Sequence, residues 1–170
     1  MEFTITNARL LDGSVVDVAI ANGVISEIGN GISKGKKIDA EKNLLIPGLV
    51  DLHTHLREPG REDSETVATG SMAAAKGGFT AISAMANTFP VADTAGVVEQ
   101  VYRLGQEAGF CDVFPIGAVT QGLAGKSLAE LGAMANSKAK VRIFSDDGKC
   151  VSDPLLMRRA LEYVKTFDGI

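Results

Sequence analysis

The stretch Leu44-Leu-Ile-Pro-Gly-Leu-Val50-Asp51-Leu-His53-Thr-His55-Leu-Arg57-Glu-Pro-Gly60 decides how this chain is read. Its first half, through Leu44, Leu45, Ile46, Leu49 and Val50, predicts a strand over 44–53 that is buried on both faces. Its second half holds the only two histidines in 170 residues, spaced two apart. Side chains two apart on a strand share a face, so His53, His55 and Arg57 are expected to project together from one strand end. Two imidazoles on one face can grip a divalent metal, and a neighbouring guanidinium can hold an anionic substrate group. Asp51 shares the face of His53, where it either accepts from the imidazole or closes a strand-end hydrogen bond.

Outward from this stretch, strands and helices alternate. Strands are expected at 44–53, 79–85, 112–119 and 140–145, with helices at 63–76, 94–108, 127–135 and 154–167. Val97, Val98, Val101 and Leu104 form the apolar face of the second helix, and Gly109 ends it. Val67 and Met72 mark the first, which stops at Gly77-Gly78, while Asp153 or Ser152 caps the last. A fifth strand is expected after Asp168-Gly169. Strict alternation argues for an α/β fold with a parallel sheet. A complete (β/α)8 barrel takes about 250 residues, so residues 44–170 amount to about half of one. Such a half would expose apolar edges and an open core.

Residues 1–43 read differently, as a small β segment of short strands joined by tight turns. Phe3 and Ile5 alternate with Thr4 and Thr6, and Asp12-Gly13 and Asn22-Gly23 are hairpin signals.

Composition narrows the function classes. Apolar residues make up 45% of the chain and charged ones 22%, as in an ordinary globular protein. The formal charge of −4 leaves no basic footprint for nucleic acid or an acidic membrane. No cationic and apolar leader opens the chain, and no apolar run approaches the ~20 residues of a membrane span. Cys111 and Cys150 match no zinc or redox spacing and read as small buried hydrophobes, which fits a reducing cytoplasm. Gly125-Lys126-Ser127 imitates the end of a phosphate loop, but the glycine expected before it is missing.

Two histidines are too few for a stable metal site, and a third ligand should come from another strand end. Asp146-Asp147-Gly148 follows the fourth predicted strand. Strand phase puts Ser145 and Asp147 on one face and Phe144 and Asp146 on the other, without choosing between them. Asn87 ends the second strand, where its amide could meet a substrate carboxylate or ring NH.

Three segments together carry a resemblance that extends over the whole chain: His53-Thr-His55-Leu-Arg57-Glu-Pro-Gly60, Met85-Ala-Asn87-Thr88 and Phe144-Ser-Asp146-Asp147-Gly148. They resemble the amidohydrolase superfamily, and within it the bacterial class I dihydroorotases. Ala86 stands where that family has proline. The resemblance implies the first half of a metal-dependent (β/α)8 TIM barrel, preceded by part of a composite β-sandwich. It implies one or two Zn2+ ions, with His53, His55 and the second aspartate, Asp147, as ligands, and a substrate held by Arg57, Asn87 and His55. The implied reaction is the reversible cyclisation of N-carbamoyl-L-aspartate to L-dihydroorotate in de novo pyrimidine (UMP) biosynthesis. The family's general acid/base aspartate and two further histidine ligands belong to later barrel strands, so these 170 residues alone are expected to be inactive.

Implied partners are the small-molecule substrate and either a second copy in a homodimer or aspartate transcarbamoylase. The alternatives are a non-catalytic scaffold for that transcarbamoylase, or a hydrolase of allantoin or hydantoins. Retention of His53, His55 and Arg57 opposes the first. Arg57 opposes the second, because those rings carry no carboxylate.

Overall fold

A computed structural model describes residues 1–170, which form two compact units, Met1–Pro47 and Gly48–Ile170. The first unit is a four-stranded sheet of β1 (Glu2–Arg9), β2 (Val15–Ala21), β3 (Val24–Gly29) and β4 (Lys36–Asp39), in the order β3-β2-β1-β4. β1–β2 and β2–β3 pair antiparallel, and β1–β4 pairs parallel. Asn22 and Gly23 both take positive φ (53° and 80°), as the turn between β2 and β3 demands. Asp12-Gly13 differs from a two-residue turn. Leu10 N–H donates to the Ser14 carbonyl across a three-residue loop in which only Gly13 has positive φ. The expected alternation in β1 is present, yet Thr4 is fully buried while Phe3 and Ile5 are half-buried. Burial of the threonine is tolerated because its hydroxyl donates to the Lys34 carbonyl at 2.8 Å and accepts the Lys34 amide at 3.0 Å.

In the second unit β5 (Leu49–Thr54), β6 (Phe79–Ala84) and β7 (Asp112–Pro115) pair in parallel in that order. The intervening helices are α1 (Val67–Lys76) and α2 (Ala95–Ala108), followed by α3 (Leu131–Asn136) and α4 (Pro154–Val164). Asp153 caps α4 by accepting the amides of Leu155 and Leu156, as its position predicts. The core has two clusters. Leu56, Val67, Ile82, Val101 and Val113 pack α1 and α2 onto the sheet, and Val98, Leu131, Met134, Val141 and Val164 join α2 to α3 and α4. At Gly105 the helix backbone lies so close to β7 that a Cβ there would come within 2.6 Å of the Val113 Cβ.

Several expectations need correction. β5 is not buried on both faces: Leu49, Val50 and Leu52 are exposed, because one edge of the strand is unpaired and Val50 and Leu52 line an open cavity with Ala81 and Phe114. α1 begins at Val67 rather than Asp63, since Thr66 is extended and forms a capping box with Thr69, while the preceding residues make a separate turn. Its buried residues are Val67 and Ser71, with Met72 turned outward. The third helix is short because Thr120 bridges Leu128 and Val119 accepts from Ala129, which engages residues expected to be helical.

Residues 140–145 form no strand. They contribute a single parallel bridge, Gly117 to Phe144, after Lys140 turns the backbone through positive φ. Ile170 then extends this pairing: its N–H donates to the Arg142 carbonyl at 2.8 Å and its carbonyl accepts from Phe144 at 2.9 Å. Cys150 is exposed, unlike Cys111, which is half-buried with its thiol 3.6 Å from the Ser71 carbonyl. No helix is long and apolar enough to cross a membrane.

Candidate metal centre

The carboxyl ends of β5 and β6 and the segment after Phe144 converge on one cluster. β5 ends at Thr54 and its pairing with β6 slips between Asp51 and Thr54, so the same-face argument, which needs a regular strand, does not carry to His53, and His55 and Arg57 lie beyond the strand. The histidines meet nonetheless, with ring centroids 5.2 Å apart and planes at 70°. Asp147 arrives from the segment after Phe144 and places its Oδ1 3.0 Å from His53 Nε2. One ligand atom each from His53, His55 and Asp147 can be chosen so that all lie within 4.8 Å of one another. A divalent ion bound at about 2.0–2.2 Å spaces its ligand atoms roughly 3–4 Å apart. The donor set, two imidazoles and a carboxylate gathered within 4.8 Å, therefore fits such an ion after a small inward movement.

The two adjacent aspartates have separate tasks. Asp146 is buried and accepts the amides of Val119 (2.8 Å) and Thr120 (3.0 Å) on one oxygen and the Thr120 hydroxyl on the other. That hydroxyl in turn accepts the Gly125 amide at 2.9 Å, so Asp146 ties down the 119–125 loop. Asp147, half-buried, faces the histidines with its φ at 52° and its amide bonded to the Ser145 hydroxyl. Of the two aspartates, Asp147 is the one the structure brings to the histidines.

Asn87 follows β6 and lies between the ligands. His55 Nδ1 is 3.0 Å from its Oδ1, and its Nδ2 donates to Asp147 Oδ2 at 2.7 Å. Sequence reading picked out Asn87 for substrate but missed this bridge, which joins residues 32 and 60 positions apart. Asp51 accepts the His53 backbone amide at 3.0 Å, making it a strand-end hydrogen bonder rather than a support for the imidazole.

Arg57 is half-buried, with its backbone in the left-handed region at φ 62°. Neither nearby acid pairs with it: Glu58 accepts the amide of Val67 at 2.7 Å, and Asp63 accepts from the Ser64 hydroxyl. Glu58 thus anchors the arginine's loop to the first residue of α1, and Pro59 fixes the other side by accepting the Phe89 amide at 2.9 Å. No sequence signal marked Glu58, because its partner lies in a helix whose start was misplaced.

Comparison with known proteins bears on these residues together. The family profile described as Dihydro-orotase-like matches residues 42–168. A dihydroorotase of Leifsonia xyli is 67% identical over 170 residues, covering 99% of this chain and 39% of the relative. One of Streptomyces coelicolor is 64% identical over 168 residues, covering 98% and 39%. The chain thus spans about two fifths of the length of these curated relatives. Among solved structures, a dihydropyrimidinase of Brevibacillus agri superposes with a TM-score of 0.70 at 21% identity, over 99% of this chain and 39% of that one. At that identity the likeness concerns the fold alone.

Proposed function

The chain belongs to the dihydro-orotase-like family, and on that premise we propose that residues 48–170 are the first half of a metal-dependent (β/α)8 barrel whose reaction is that of dihydroorotase. Residues 1–47 would be part of a composite β-sandwich. The supporting observation is the convergence of His53, His55 and Asp147 from two segments far apart in sequence, with Arg57 two residues past His55 and unpaired with Glu58 or Asp63.

His53, His55 and Asp147 would hold the metal, one or two Zn2+ ions, through the imidazoles and the carboxylate. A bound zinc supplies Lewis acidity, polarising an amide carbonyl and easing attack by water. Arg57 takes the carboxylate at ring carbon 6 of L-dihydroorotate bidentately, which fixes the ring's orientation over the cluster. The spare N–H of Asn87 adds a donor to the same group, and His55 borders the ring. A general acid/base is not assigned to any residue of this chain. It would come from later barrel strands, as would further histidine ligands. In the cell the reaction would serve de novo pyrimidine synthesis in the cytoplasm, in a homodimer or with aspartate transcarbamoylase.

Zinc content and ligand discrimination test the proposal together. Dialysed against zinc, the chain should retain metal, and His53→Ala, His55→Ala and Asp147→Ala should each lose it. In the loaded protein, L-dihydroorotate should bind more tightly than dihydrouracil, which lacks the carboxylate, and Arg57→Ala should erase the difference. Equal binding of the two rings would favour a hydantoinase-like specificity, and failure to retain zinc would mean that His53, His55 and Asp147 do not form a metal site without the later ligands.

A further inference from the structure

We infer that Asn87 is a positioning residue of the metal centre: its amide dictates which nitrogen of His55 faces the metal and steadies Asp147 beside it. The purpose of the arrangement rests on the proposed metal site, whereas the protonation pattern follows from hydrogen-bond polarity alone. An ionised carboxylate offers only acceptors. The Asn87 atom 2.7 Å from Asp147 Oδ2 is therefore the amide nitrogen. That orientation turns Asn87 Oδ1 toward His55, 3.0 Å from Nδ1. An amide oxygen also only accepts, so the proton of neutral His55 sits on Nδ1 and the lone pair on Nε2. Reversing the amide would set oxygen against oxygen at Asp147, so the network admits one orientation.

The consequence is specific. An imidazole side chain free in water prefers its proton on Nε2, the tautomer that closes this atom to a metal. Asn87 reverses that preference before any ion arrives. The same amide links residues 32 and 60 positions away from it, so the positions of the second histidine and the carboxylate are set jointly. Asn87 keeps a second N–H and a second lone pair, and its contact with a substrate is compatible with this role.

Imidazole 15N chemical shifts at pH 8, above the ordinary imidazole pKa of about 6.5, test the assignment on the zinc-free chain. Only two histidines contribute, and His53→Gln tells them apart. Wild type should show His55 protonated at Nδ1. Asn87→Ala, which removes the acceptor facing Nδ1, should revert towards Nε2. Competition against a chelator should then show zinc held about 10–100-fold more weakly by Asn87→Ala, the range for loss of a group that supports a metal ligand. An unchanged His55 tautomer in Asn87→Ala, or unchanged zinc affinity, overturns the inference. If wild type binds no zinc, the metal reading itself falls, and the tautomer comparison still decides what Asn87 does to His55.

Discussion

Replacing Asp146 by alanine should damage the fold, and replacing Asp147 should damage the metal site. Asp146 is the sole acceptor for the buried amides of Val119 and Thr120 and for the Thr120 hydroxyl. A buried donor stripped of its acceptor costs about 1–3 kcal/mol. Two amides give roughly 2–6 kcal/mol, and water entering the vacated space brings the expectation to about 3 kcal/mol. That is a large part of the ~5–15 kcal/mol that holds a domain together, and corresponds to a drop of about 10 °C in Tm. Asp146→Asn, which keeps one oxygen, should lose about half as much. Asp147 is only half-buried, and its alanine variant should unfold within about 1 kcal/mol of wild type while losing its zinc. Urea unfolding followed by circular dichroism at 222 nm, with zinc content measured on the same samples, reads both effects. If Asp146→Ala unfolds within about 1 kcal/mol of wild type, or Asp147→Ala is the less stable of the two, the division of labour drawn here is wrong.

Glu58→Ala should cost about 1 kcal/mol through loss of the acceptor for the Val67 amide, and should speed tryptic cleavage after Arg57 and Arg61; Glu58→Gln should largely restore both. Gly105→Ala forces a methyl group against Val113 and should destabilise by about 1–3 kcal/mol in the same urea assay. Iodoacetamide should modify exposed Cys150 well before Cys111. Burial, with a smaller contribution from the Asp112 charge, pushes the Cys111 thiol up, so the folded chain holds that proton more tightly than the unfolded one. Stability should therefore fall as pH rises through the ordinary thiol range, and Cys111→Ala should remove that component of the fall.

The alternation of strands and helices after Leu44 was legible because apolar periodicity is local, and β6, α2 and α4 lie close to where it puts them. What was not legible depends on partners distant in sequence. The expected strand at 140–145 reduces to one bridge, because its pairing is set by Gly117 on one side and Ile170 on the other. In the site, the histidine pair announced itself by spacing, whereas the bridge through Asn87 exists only once three segments have been brought together. The roles of Asp146 and Asp147 were likewise inseparable by phase, because that argument assumes a regular strand and Asp147 sits at positive φ.

Arg57 and Asp147 share a backbone region that residues with side chains usually avoid, at φ 62° and 52°. For arginine that conformation costs about 1–2 kcal/mol, where glycine would sit without steric penalty. Part of that difference is offset by the greater freedom glycine gives the unfolded chain. Thermal selection alone would therefore accept Arg57→Gly as neutral or mildly favourable, while discarding the guanidinium. Attempts to harden this protein by evolution at high temperature will drift towards that substitution unless ligand recognition is screened in every round. Position 57 is where resilience and recognition pull the sequence in opposite directions.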